Sequence, residues 1–177
     1  TSYPTADRFV DTFGPDAYRR ALEQRAAQVV AGTAVPLSLY VHIPFCDSIC
    51  YYCACNKIVT RHHERAGEYL EALQREIDLH VAVLGRHQVL TQLHFGGGSP
   101  TFLSDDELAR LMDVLRESFT IDADAELSIE IDPRTVDEVR LRRLAQLGFG
   151  RLSFGVQDFD PEVQKAVHRE QSFDSVR

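Results

Sequence analysis

The chain has 177 residues, 44% hydrophobic and 26% charged, which suits one soluble domain with a sizeable core. Ten Gly and seven Pro exclude a low-complexity chain, and a net charge of −8 excludes bulk electrostatic attraction to nucleic acid. The opening TSYPTADRFV has no basic stretch followed by an apolar run, and no segment reaches the roughly 20 apolar residues of a membrane span. The expectation is a cytoplasmic protein with neither a nucleic acid nor a membrane as partner.

Residues 1–36 form a helical lead-in: Tyr18, Leu22, Ala26 and Val29–Val30 recur at helical spacing before Gly32 and Pro36 end the pattern. From Leu37 on, strands and helices alternate. Leu37 to Ile43 alternates in polarity and reads as the first strand. Glu64 to Leu84 places Tyr69, Leu70, Leu73, Ile77, Val81 and Leu84 on one helical face. Val89 to Phe95 is a second strand running into Gly96-Gly97-Gly98. Ser104 with Glu107 makes a capping box for a helix burying Leu108, Leu111, Met112, Leu115 and Phe119. Ala125 to Ile131 is a third strand, Thr135 with Glu138 caps the next helix, and Gly148 ends it. Gly150 to Val156 is a fourth strand, and Asp160-Pro161 opens a fifth helix.

This order predicts an α/β fold of βαβ units with parallel strands, part of a barrel or an open sheet over residues 37–177. Four strands do not close a (β/α) barrel, so the chain reads as a piece of a longer protein. In such folds reactive groups gather at the C-terminal strand ends. Those ends are the cysteine loop, Gly96–Gly98, Glu130-Ile131-Asp132 and Gln157-Asp158, four features along one sheet edge.

The chain has four cysteines, all between Cys46 and Cys55. So tight a group closes no useful disulfide loop and points to a metal. Cys46-x₃-Cys50-x₂-Cys53 is short enough to wrap one cluster with three thiolates, which leaves the fourth iron of a cubane open. The alternatives are a Cys₄ zinc knuckle that uses Cys55, and inert core cysteines.

The three-cysteine spacing after a first strand resembles the radical S-adenosylmethionine superfamily. Tyr40-Val-His-Ile-Pro-Phe-Cys46 with Cys50-Tyr-Tyr-Cys53-Ala-Cys55-Asn56-Lys57 is narrower, and resembles the oxygen-independent coproporphyrinogen III oxidases. His94 to Thr101, Ser128 to Arg134, Ser153 to Phe159, Val167 to Gln171 and the opening Thr1 to Ala6 match as well. The resemblance implies the N-terminal part of a radical S-adenosylmethionine partial (β/α) barrel. Cys46, Cys50 and Cys53 then ligate a [4Fe–4S] cluster. The Tyr40 backbone, the Gly97 region and Glu130 hold S-adenosylmethionine. Tyr52, Gly98, Ser99, Gln157 and Arg169 meet a second molecule of it; Tyr52 and Ser99 are departures within the family's own variation. A 5′-deoxyadenosyl radical would then convert two propionates of coproporphyrinogen III to vinyl groups. The electron would come from an external one-electron reductant such as a flavodoxin, and the protein would be a monomer.

Each residue also has a plainer reading. The glycines make a tight strand-to-helix turn, Glu130 is a solvated surface residue, Gln157 caps a helix and Arg169 sits in a surface ion pair. His42 is either a participant in proton movement or a hydrogen-bonded, half-buried histidine. Cys55 is taken as a substrate-facing or supporting thiol, because a fourth ligand would leave a simple electron carrier. Lys57, Arg61, His62, His63 and Arg65 are the one basic stretch beside the loop, either for propionates or as a solvated helix start. A haem chaperone of the same superfamily, a [4Fe–4S] electron-transfer module and a zinc-stabilised binding module are the competing functions.

Overall fold

A computed structural model describes residues 8–177, so the Thr1–Ala6 resemblance lies outside the described residues. Strand β1 (Leu37–Ile43) follows its predicted bounds, with Val41 and Ile43 buried and Ser38 and Tyr40 exposed. Strands β4 (Gln88–Gly97), β5 (Phe119–Ile131) and β6 (Arg151–Phe154) join it in a sheet of order β1-β4-β5-β6. Every pairing in it is parallel. Two further strands, β2 (Phe45–Cys46) and β3 (Ile58–Val59), form a short parallel ribbon that closes the base of the cysteine loop. Neither is long enough to leave a period in the sequence.

Helices α2 (Arg65–Leu84), α3 (Asp105–Ser118) and α4 (Glu138–Leu147) supply the crossovers. The predicted face of α3 is buried throughout, and Ser104 and Glu107 form the reciprocal capping box. Ile77, Val81 and Leu84 of α2 are buried, with Tyr69, Leu70 and Leu73 packed at the margin of the same core. Helix α1 (Pro15–Val30) differs. It buries no residue, leaves Val30 90% exposed, and meets α2 through Tyr18, whose hydroxyl lies 2.6 Å from His80 Nε2.

Three local expectations are corrected. Strand β5 starts at Phe119 rather than Ala125, because Phe119–Ile121 pair with Gln88–Leu90 before the register shifts between Leu90 and Gln92, where the polar residues up to Asp124 bulge out of the ladder. The strand at Gly150–Val156 shortens to β6, which sits at the end of the sheet order and pairs with β5 alone. Thr135 does not cap α4. It lies in a 3₁₀ turn (Pro133–Thr135), and Asp137 caps the helix by accepting from Arg140 N at 2.8 Å. Gly148 ends α4 in the left-handed region at φ 106°, and Asp160 caps α5 (Pro161–Ala166), both as predicted. A last short helix, α6, covers Phe173–Val176.

Candidate functional site

The parallel sheet brings the C-terminal strand ends together around a cavity of about 610 Å³, within the ~300–1,000 Å³ typical of cofactor sites. Cys46, Cys50, Cys53 and Cys55 line it together with Gly97, Gly98 and Ser99 from the end of β4. Glu130 comes from β5, Gln157 from beyond β6, and Tyr52 and Arg169 complete the predicted set. Tyr40 and His42 stand beside this cavity rather than on its wall.

The glycine run has a cause that the sequence did not reveal: it accommodates the cysteine loop. A side chain at Gly98 would place its Cβ 2.7 Å from the Pro44 and Phe45 carbonyl oxygens and 2.9 Å from Cys46 Sγ. Gly97 adopts φ 117°, a region that favours glycine. The backbone there is stitched to the loop by Gly98 N donating to Ile43 O and Ser99 N donating to Phe45 O, both at 2.8 Å. Ser99 is itself buried.

Glu130 is half exposed but anchored. Gly97 N donates to its Oε2 at 3.2 Å, and His94 Nε2 lies 3.4 Å from Oε1. A carboxylate only accepts, so His94 Nε2 carries the proton and Nδ1 receives the Ser128 hydroxyl at 2.7 Å. The second histidine is fixed the same way. His42 Nε2 faces the Asn56 carbonyl at 2.8 Å and must donate, which leaves Nδ1 to accept from the Tyr40 hydroxyl at 3.0 Å. Tyr69 donates to the His42 carbonyl. His42 is thus held on both nitrogens, which favours its plainer reading. The Tyr40 ring stacks on His94, and its phenol is raised above the ordinary value by burial, then by Glu130 and Cys55.

Burial and the neighbouring Cys53 and Cys50 thiols push Cys46 up to about 11. Burial, then Cys53, raises Cys55 as well. A thiol binds metal as its thiolate, with the proton passing to solvent, so such a site is coupled to pH. Among the described residues no three Cys, His, Asp or Glu side chains converge as a single ion would require. Soft thiolates on one cavity wall suit a cubane, where each of three takes a different iron. The three-cysteine set therefore fits an iron–sulfur cluster.

Sequence reasoning placed Asp132 at the strand end and Arg134 in a matching stretch but assigned neither a role, although both line the cavity. It also overlooked the clamp on the cysteine loop. Tyr51 N donates to Val167 O at 3.0 Å, His168 Nδ1 lies 2.8 Å from Ile49 O, and the two rings stack at 5.3 Å. His168 takes φ 56° to do so, and Gln157 likewise has φ 71°. Arg169, next in the chain, is buried rather than on the surface. Its Nε and Nη2 donate to Gly155 O at 3.1 and 2.6 Å. Tyr52 is pushed up to about 12 by burial, against the lowering effect of Arg169.

The radical SAM superfamily model matches residues 40–177, from β1 through every strand end described above. This chain belongs to the radical SAM superfamily. Membership implies a [4Fe–4S] cluster and S-adenosylmethionine, the groups that the cavity's donors suit. The chain is 52% identical over 97% of its length to the oxygen-independent coproporphyrinogen III oxidase of Escherichia coli (strain K12). It is 51% identical over its whole length to the protein of that name from Pseudomonas aeruginosa. The solved structure of coproporphyrinogen III oxidase from Escherichia coli, described as a radical SAM enzyme, superimposes at a TM-score of 0.88 and 48% identity. That match covers 99% of this chain and 39% of the other. The chain spans 36% and 38% of the two relatives. Among the described residues no helix is long and apolar enough to cross a membrane.

Proposed function

We propose that this chain is the cluster- and cofactor-binding part of an enzyme that oxidatively decarboxylates two propionates of coproporphyrinogen III, giving protoporphyrinogen IX. The observation that carries the reading is the single cavity that joins the Cys46, Cys50 and Cys53 thiols to Gly97 and Glu130. The identity of the substrate rests on the relatives, which are 52% and 51% identical and carry that name. The bound cluster and S-adenosylmethionine supply one-electron chemistry and hydrogen abstraction; the protein binds, orients and shields.

Cys46, Cys50 and Cys53 hold the cluster and leave one iron open. Glu130, fixed by Gly97 N, offers acceptors to ribose hydroxyls. Tyr40 is positioned by His42, and its backbone together with Gly97 holds the cofactor. Tyr52, Gly98, Ser99, Gln157 and Arg169 lie on the same wall and are the residues for a second S-adenosylmethionine. Residues 1–36 serve as the lead-in and residues 37–177 as the first four β/α units of the barrel. Electrons enter from an external donor of the flavodoxin type, and the protein acts as a monomer in the cytoplasm.

Of the basic stretch, only Lys57 and Arg61 line the cavity. Lys57 Nζ is committed to the Cys53 carbonyl at 2.9 Å, and His62 and His63 turn to Glu64 and Glu107. Arg61 is therefore the cation we assign to a substrate carboxylate.

The test is anaerobic purification of the full-length protein, with iron and sulfide counted and the EPR spectrum taken with and without S-adenosylmethionine. About four irons and a spectrum altered by the cofactor are expected, followed by turnover of coproporphyrinogen III. Cys55→Ser retains all the iron if Cys55 is no ligand. A spectrum blind to the cofactor, with a quarter of the iron lost in that variant, would establish a four-cysteine electron carrier instead.

A further inference from the structure

Asp132 closes β5 with a carboxylate whose side chain is 12% exposed, and it binds two arginines at once. Arg134 forks onto it, Nε to Oδ1 at 3.0 Å and Nη2 to Oδ2 at 2.7 Å, while Arg134 N donates to Oδ1 at 3.0 Å. Arg169 arrives from beyond α5 and places Nη1 3.2 Å from Oδ2. Burial works to raise the Asp132 carboxyl, yet the bonds from Arg134 and the charge of Arg169 outweigh it and hold it below the ordinary aspartate value.

Both guanidinium groups then converge on one sulfur. Arg169 Nη1 lies 3.4 Å from Cys50 Sγ, and Arg134 Nη2 lies 3.9 Å away, at the outer reach of a hydrogen bond to sulfur. Among the described residues neither Cys46 nor Cys53 has an arginine hydrogen-bonded to its sulfur. One carboxylate against two guanidinium groups leaves a net positive charge beside Cys50. Hydrogen bonds to cluster sulfur, local charge and solvent exposure set the reduction potential of an iron–sulfur centre. A cation beside a thiolate ligand stabilises the reduced form, which carries one more negative charge.

We propose that Asp132 positions Arg134 and Arg169 on Cys50 so that the pair raises the reduction potential of the cluster, with Arg134 as a tuning residue. The inference rests on the cluster reading above. Arg169 is also assigned to the cofactor, so Arg134 is the residue to vary.

The test uses the full-length protein, reconstituted anaerobically without S-adenosylmethionine, with iron counted and the cluster titrated electrochemically under EPR. Arg134→Gln is expected to keep its iron and to shift the oxidised-to-reduced ratio at fixed potential about tenfold toward oxidised. That is about 59 mV for a one-electron couple. Arg134→Lys, which keeps the charge but loses the fork, recovers most of the shift. Iron lost from Arg134→Gln and regained in Arg134→Lys would still support a charge that anchors Cys50. An unshifted Arg134→Gln, or equal iron loss in both variants, overturns the proposal and leaves the cluster reading standing. A wild-type protein with no iron overturns the cluster reading itself.

Discussion

On the helix-covered face of the sheet Ile43, Phe95 and Ile129 are fully buried, while on the opposite face Tyr40 is 54% exposed and His94 and Glu130 stay half open. The two sets alternate along the same strands, His94 beside Phe95, Glu130 beside Ile129, and Tyr40 three residues before Ile43. Each buried apolar side chain on the first face contributes about 1.5–3 kcal/mol, and together they hold the strands in register. The second face buries little and is ordered instead by hydrogen bonds, from Tyr40 to His42 and from Ser128 through His94 to Glu130. A rigid covered face thus lets its partner stay polar and accessible, which a cofactor site requires.

Substitutions on either side can break that contrast. Phe95→Ala removes a ring packed edge-on against Phe149 at 5.2 Å and is expected to cost about 3–5 kcal/mol in a denaturant titration. Glu130→Gln, on the open face, is expected to stay within about 1 kcal/mol while weakening cofactor binding. Equal losses in the two variants would show that both faces carry the fold.

The edge where the faces meet predicts a smaller effect. Gly98→Ala drives a methyl into the Pro44 and Phe45 carbonyls, which should cost about 1–3 kcal/mol and lower the iron content. Gly150 has open space around it, so Gly150→Ala should stay within about 0.5 kcal/mol and keep its iron. Smaller again, Ser104→Ala removes the α3 cap at a cost of about 1 kcal/mol with iron unchanged, because the cap serves only the covered face.

The least effect is one of pH. Burial works to raise Glu107, but its bonds with Ser104 and His63 prevail and hold it below the ordinary value of 4.5. A carboxyl lowered on folding stabilises the protein above that value and loses its contribution as pH falls through the folded one. Glu107→Gln should therefore flatten the decline of the urea midpoint between about pH 5 and pH 3. An unchanged slope would assign the acid sensitivity to other carboxyls, Asp132 among them.

The sequence alone determined the parallel α/β order, the bounds of β1, the α3 box and the grouping of the cysteines. Those features follow from local periods of two and 3.6 and from spacing within a few residues. Tertiary structure decided what local patterns do not contain. The glycine run proved to be seated against the cysteine loop, because the contact joins Gly98 to Pro44 and Phe45 across a strand crossover. Thr135 gave up its expected cap to Asp137 once the turn after β5 bound Asp132 and Thr101. Arg169 and Arg134 met on Cys50 only because β5 and the chain beyond α5 end at the same sheet edge. Such convergence depends on folded distance, and sequence separations of 84 and 119 residues leave no local trace of it.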